Sequence, residues 1–270
     1  MKIGFVGAGN MATSLIGGLI ADGMKADDFY LVDTNAQQLA TLQQKYGTHS
    51  AVLDADFINT IDVMLLAIKP QVMHEACAQV MAAGGSNMPL VMSVAAGLPT
   101  DKLASWLWDG VAIVRTMPNT PALIQAGATG LYANARVEQN GRDQAERIMR
   151  AVGLTVWLDD ESQMDLVTAL SGSGPAYFFL FMESLQKAAE SLGLPAETAR
   201  ILTLQTALGA SKLAISSDNE LDELRKKVTS PGGTTERAVD VFMQRDIQSI
   251  FTEAMAAAVQ RAQQMAKEIN

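Results

Sequence analysis

Two glycine-bearing turns and one strand-end aspartate hold most of the chemistry visible in this chain. The first turn is Gly7-Ala8-Gly9-Asn10-Met11-Ala12. The apolar run Lys2 to Val6 precedes it, and a helical spacing through Met11, Leu15, Leu19 and Ile20 follows it. Gly7 allows a tight turn, Gly9 lets the backbone approach a pyrophosphate, and Ala12 is small enough for the helix to pack on the strand. The free N–H groups at the start of that helix, Asn10 to Ala21, then face phosphates. A lone Gly-x-Gly-x-x-Ala is weak evidence; the strand before it and the helix after it are the context that gives it weight. Asp33 ends the next apolar run about two dozen residues beyond Gly9, where an acidic side chain accepts hydrogen bonds from an adenosine ribose. The alternative is a turn former at a strand end. The glycine turn upstream favours the ribose role.

The second turn, Val228-Thr229-Ser230-Pro231-Gly232-Gly233-Thr234-Thr235, precedes a helix that carries Val239, Phe242 and Met243. Its glycines free backbone N–H groups, its hydroxyls add donors, and a helix start favours negative charge, so it has the form of an anion site. The same residues also suit a plain helix cap, and the local sequence alone favours capping. His49 and His74 have no clustered His, Cys or carboxylate partners at ligand spacing, so no metal site is expected. The single cysteine, Cys77, falls in the apolar phase of a helix and reads as core filler.

The elements that must position these turns alternate. Phe29 to Asp33 reads as a second strand, followed by a helix through Leu39 and Leu42 to Tyr46. Asp62 to Ile68, Leu90 to Ala95 and Ala112 to Met117 are nearly all-apolar strands, as in a parallel sheet covered on both faces. Lys69 and Pro70 leave the first of them. Pro70 suits a first helical position, while Lys69 fits a ligand crevice and a solvated strand end equally well. Gly127 to Tyr132, a helix through Ile148 and Val152, and Val156 to Leu158 complete the sheet region. The pattern predicts a doubly wound fold whose strand exits gather on the ligand side.

From Ser162 onward strand signals disappear, and Asp159-Asp160-Glu161 marks the expected boundary: a dinucleotide-binding domain at 1–160 and an all-helical domain at 161–270. Pro175 and Pro195 are placed to begin or kink helices. The stretch Ile201 to Ser211 is uncharged all the way round and is expected to be buried on every side. About 110 helical residues are few for that task, so a partner subunit is expected to cover part of it. Ile247, Ile250, Phe251, Ala254, Met255, Ala258 and Val259 give the last helix a broad apolar face of the same kind. With 270 residues, 49% apolar content, net charge −9 and no long basic run, composition argues for a small-molecule role and against a nucleic-acid surface. The uncharged run Leu166 to Met182 is broken by Ser171 to Pro175 and is no membrane span. A strand starting at Lys2 leaves no room for a signal peptide, so a cytoplasmic protein is expected.

Six blocks together resemble the pyrroline-5-carboxylate reductases nearly end to end. They are Gly-Phe-Val-Gly-Ala-Gly-Asn-Met at 4–11, Ala-Ile-Lys-Pro at 67–70, Ser-Val-Ala-Ala-Gly at 93–97, Arg-Thr-Met-Pro-Asn-Thr-Pro at 115–121, Ser-Gly-Ser-Gly-Pro-Ala at 171–176 and Thr-Ser-Pro-Gly-Gly-Thr-Thr at 229–235. The resemblance implies an α/β fold, with an N-terminal Rossmann-like doubly wound sheet followed by an all-α dimerisation domain. It also implies NAD(P)H-dependent reduction of a cyclic imine to proline. It places the cofactor diphosphate on Gly9, Asn10 and Met11 beside Gly7, and the nicotinamide end near Ala67, Lys69, Pro70 and Ala96. The substrate carboxylate falls to Ser230, Gly232 and the backbone N–H groups of Gly233 and Thr234, with Thr235 near the ring nitrogen. This overturns the capping preference for the second turn. Family members are obligate dimers and often assemble as five dimers into a decamer.

One departure is Asp33-Thr34-Asn35. Members that prefer NADPH place hydroxyls, Asn or Arg here to receive a 2′-phosphate, and the aspartate tilts this chain toward NADH. Reducing an already electrophilic imine needs no strong acid, so a site without His or Cys is adequate. The competing reading is another reductase of the same architecture, acting on a β-hydroxyacid or a secondary imine; a hydroxyacid enzyme would show a catalytic lysine motif in the second domain. Lys187 and Lys212 lack it. A non-catalytic nucleotide-binding protein would lack the second turn.

Overall fold

The computed structural model describes residues 1–268. They form two compact units, Met1–Ser173 with the chain from Ala257 onward, and Gly174–Ala256. In the first unit, β1 (Ile3–Val6), β2 (Phe29–Val32), β3 (His49–Ser50), β4 (Val63–Leu66), β5 (Leu90–Ser93), β6 (Ile113–Met117), β7 (Gly127–Ala133) and β8 (Gly153–Trp157) build one sheet in the order β3-β2-β1-β4-β5-β6-β7-β8. The helices α1 (Asn10–Ala21), α2 (Ala36–Tyr46), α3 (Ala55–Thr60), α4 (Met73–Ala83), α5 (Thr100–Trp106) and α6 (Gln139–Arg150) lie between strands. Alternate residues of a strand face opposite sides of a sheet. Accordingly Val63 and Leu65 of β4 join a cluster with Phe5, Leu15 and Ile148, whereas Met64 and Leu66 join one with Phe57, Cys77 and Leu103. Both faces are therefore covered, which is why these strands read as unbroken apolar runs.

The first six strands are parallel, but β7 runs antiparallel to β6, and β8 follows β7 in parallel. This corrects the expectation that every strand leaves on one side. The link between β6 and β7 holds only the 3₁₀ turn Thr120–Ile124, too short for the crossover of about a dozen residues that a parallel neighbour requires. Cys77 is buried as core filler, and burial pushes its thiol up to about 12. His49 lies 3.5 Å from Asp27 and stacks on Tyr30, and His74 rests against Trp106.

The first unit does not stop at the acidic link. Buried Arg115 of β6 reaches Glu161 at 3.2 Å and Asp165 at 3.6 Å, and Glu161 also accepts the N–H and hydroxyl of Thr100 at the start of α5, both at 2.7 Å. Glu161 is thus a structural tie, and it keeps α7 (Gln163–Val167) and the π-helical turn Thr168–Gly172 in the first unit. The compact units part after Ser173.

The second unit holds α8 (Gly174–Ser191), α9 (Ala196–Ile215), α10 (Leu221–Lys227), α11 (Thr234–Gln244) and the first turns of α12 (Ile247–Glu268). Pro175 sits in the first turn of α8, where its missing N–H costs nothing, and Pro195 precedes α9. Burial of Ile201 to Ser211 on every side is not achieved within one chain. The exposure of its leucines runs from 44% at Leu204 to 55% at Leu202, because α9 meets α8 on one flank and so few helices cannot wrap the rest. Among the described residues no helix is long and apolar enough to cross a membrane.

Candidate active site

The strand register brings the first turn together. Val6 pairs with Val32 on one side and Leu66 on the other, so Gly7, Asp33 and Ala67 leave the sheet at one level, where the strand order reverses around β1. That switch point is where open α/β sheets hold ligands. The Gly7 N–H donates to the Val32 carbonyl and the Ala67 N–H to the Val6 carbonyl, each at 2.8 Å. Gly7 has φ of +100°, and a Cβ there would lie 2.6 Å from the Ala67 carbonyl oxygen. At Gly9 a Cβ would meet nothing within 4 Å, so the backbone there is open to a group arriving from outside. Asn10 and Met11 begin α1 and carry its unpaired N–H groups. The cradle fits a dinucleotide diphosphate.

Asp33 holds the turn from the side. Its Oδ2 accepts the Ala8 N–H at 2.6 Å and its Oδ1 the Asn35 N–H at 2.7 Å, so the carboxylate is a turn acceptor, with further lone pairs left for a ribose. The Asn35 side chain caps α2, and Thr34 is exposed. A cleft of about 290 Å³ opens beside them, lined by Gly7, Asp33, Thr34, Leu53, Ile68, Val72, Glu75, Ala76 and Gln79. Reading single motifs missed its apolar wall. Val72, Ala76 and Gln79 follow helical spacing, which is the signal that finds them. Lys69 and Pro70 lie where β4 gives way to the 3₁₀ turn Pro70–Val72, with Lys69 exposed. Ala96 sits half-buried in the loop after β5. There the next residue, Gly97, with φ of +69°, would place a Cβ 3.4 Å from the Ala262 carbonyl of α12.

In the second unit the turn before α11 has Gly232 at φ of +73° and Gly233 as the helix N-cap, with no side chain capping it. Two of its N–H groups are already engaged: Gly233 donates to the Ser230 carbonyl at 3.0 Å, and Gly232 to Glu236 Oε2 at 2.8 Å. The expected carboxylate donor at Gly233 therefore closes the turn on itself. The first intrahelical bond runs from Arg237 to Gly233, which leaves the Thr234 and Thr235 N–H groups ahead of the ladder. Among the described residues the hydroxyls of Ser230, Thr234 and Thr235 have no intramolecular partner, so none of them acts as a cap. A carboxylate already rests on this turn, that of Glu236, which accepts the Gly232 N–H.

The family described as "Pyrroline-5-carboxylate reductase dimerisation" matches residues 161–265, and one described as "NADP oxidoreductase coenzyme F420-dependent" matches residues 2–97. A pyrroline-5-carboxylate reductase of Pseudomonas aeruginosa is 47% identical over 268 residues, which span 99% of this chain and 98% of the relative. This chain belongs to the pyrroline-5-carboxylate reductase family. A solved pyrroline-5-carboxylate reductase from Coxiella burnetii covers 100% of this chain and 98% of its own at 42% identity, with a TM-score of 0.93. The pyrroline carboxylate reductase of Plasmodium falciparum, solved with NADP bound, is 26% identical over 98% of both chains, with a TM-score of 0.83. Within the reductase blocks, two residues do structural work that motif reading did not assign. Arg115 ties β6 to Glu161, and the Asn119 side chain bridges the Ala128 N–H at 2.9 Å and the Ser171 carbonyl at 3.0 Å. Glu161 and Ser171 lie far along the chain, so no local pattern announces them.

Proposed function

We propose that this chain reduces 1-pyrroline-5-carboxylate to proline, the last step of proline biosynthesis, using a nicotinamide dinucleotide. The full-length identity to the Pseudomonas aeruginosa reductase carries this reading. Gly7, Gly9, Asn10 and Met11 would hold the diphosphate; Asp33, Thr34 and Asn35 would face the adenosine ribose; Ala67, Lys69, Pro70 and Ala96 would border the nicotinamide. When bound, the reduced nicotinamide supplies the hydride. The Ser230 hydroxyl and the Thr234 N–H would hold the substrate carboxylate, Gly232 and Gly233 shape the turn, and Thr235 polarises the imine nitrogen. Because that nitrogen becomes a basic amine, it takes its proton without a strong acid, and positioning supplies most of the catalysis. The test is oxidation of NADPH and of NADH with and without pyrroline-5-carboxylate. Oxidation that does not depend on the imine would remove the proposal.

NADH is expected to serve at least comparably with NADPH. Asp33 and Glu75 both line the cleft and no Lys or Arg does, so a 2′-phosphate would meet like charge, whereas a free 2′-hydroxyl finds an acceptor in Asp33. A kcat/KM for NADPH more than about 100-fold above that for NADH, a gap of roughly 2.7 kcal/mol, would contradict this.

We read residues 161–270 as the dimerisation and substrate half of a cytoplasmic homodimer, with a decamer of five dimers as the larger assembly. The exposed leucines of α9 and the exposed Ile250 and Phe251 of α12 support it, as does the family match over 161–265. Light scattering should find no persistent monomer. A monodisperse, fully active species of 28.8 kDa would refute the dimer.

A further inference from the structure

The Ala8–Gly9 peptide of the first turn is held from outside the turn, by a residue that no sequence motif singled out. Ala8 is fully buried, and its carbonyl accepts the Gln38 Nε2 amide at 2.8 Å; the same nitrogen lies 3.5 Å from the Thr13 hydroxyl of α1. Gln38 stands in the first turn of α2, where its own N–H is capped by the Asn35 side chain at 3.2 Å. The other end of Ala8 is held by Asp33. The exit of β2 and the first turn of α2 thus grip Ala8 by both its N–H and its carbonyl.

A trans peptide is planar, with its N–H and carbonyl pointing in opposite directions. By drawing the Ala8 carbonyl toward α2, Gln38 turns the Gly9 N–H away from α2. The opposite orientation is available to this peptide. Gly9 has no Cβ to restrain it, and nothing lies within 4 Å of where one would be. That flipped peptide would present a carbonyl oxygen, in place of an N–H, to an anion on the turn.

We propose that Gln38 is a positioning residue for the cofactor diphosphate, orienting the Ala8–Gly9 peptide so that the glycine turn offers a donor. This rests on the reading of the first turn as a dinucleotide site. Since NADH and NADPH share the diphosphate, the effect is common to both and separate from the discrimination at Asp33.

The test is titration of NADH and NADPH in the absence of imine, with steady-state kinetics in parallel. Gln38→Leu removes the donor at similar size and should raise both dissociation constants by a shared factor of about 3 to 10, the range of one neutral hydrogen bond. The NADPH-to-NADH ratio should stay the same, and kcat at saturating cofactor should change less than about twofold. Gln38→Lys keeps a donor and should recover most of the affinity. Unchanged dissociation constants in Gln38→Leu would overturn the proposal. So would a loss confined to one cofactor, which would make Gln38 a reader of the 2′-position, or an equal loss in Gln38→Lys, which would make it mere packing. If the wild-type chain binds the nucleotides but shows no imine-dependent oxidation, the proposed reaction falls while this inference stands.

Discussion

Thr235→Ala is expected to lower kcat about 10- to 200-fold, while cofactor affinity stays nearly unchanged. The hydroxyl would donate to a nitrogen whose charge changes during reduction, and such a bond contributes on the order of 1.5–3 kcal/mol in the transition state. Folding offers no competing explanation for a loss of this size. Thr235 is the second residue of α11, exposed, and caps nothing, since Gly233 is the N-cap and has no side-chain capping bond. Alanine at that position is a better helix former than threonine. Thr235→Ser keeps the hydroxyl and should retain much of the activity. A wild-type kcat in the alanine variant, or a loss of cofactor binding in its place, would remove Thr235 from the reaction.

Gly7→Ala should abolish useful cofactor binding and lower the melting temperature together. The left-handed backbone at φ of +100° costs a residue with a Cβ about 1–2 kcal/mol. That Cβ would also stand 2.6 Å from both the Ala67 carbonyl oxygen and Ile68 Cγ2. The carbonyl belongs to the backbone at the exit of β4, which is pinned through the Ala67 N–H to Val6. It can move only by loosening the sheet, and overpacking of this kind adds about 1–3 kcal/mol. Together these predict a fall of roughly 4–20 °C. Gly9→Ala is the control. At φ of −72° and with open space around the added methyl, it should fold within about 0.5 kcal/mol of wild type. Any loss of dinucleotide binding there comes from the methyl standing in the ligand's way. A Gly7→Ala variant that melts and binds NADPH as wild type does would mean that the turn is not built as described.

The sequence alone was enough to place β1, α1 and the glycine turn between them, because their signals are local. Apolar residues at a spacing of two or of three to four report which face is buried, and glycine reports where the backbone must bend sharply. Helix α1 begins at Asn10 and ends at Ala21 as its apolar spacing predicts. The same reasoning passed over β3 and α3, whose few residues are too short for a period to show. Nor does the run Asp159-Asp160-Glu161 announce which of its members is paired, since three acidic residues look alike whether solvated or paired. Only the fold puts Glu161 beside Arg115.

What the tertiary structure decided were the contacts between residues far apart in the chain. Gln38 meets the Ala8 carbonyl 30 residues away, and Arg115 meets Glu161 across 46. Neither pairing leaves a periodic trace, because a hydrogen bond between segments distant in sequence depends on where the fold delivers each of them. The register of β1 with β2 and β4 brings Gly7, Asp33 and Ala67 to one level. The helical half shows the converse. Its sequence already stated that Ile201 to Ser211 must be covered, since an uncharged helix has no face for water. The structure then showed that one chain leaves those leucines exposed, because a unit this small has too few helices to surround them.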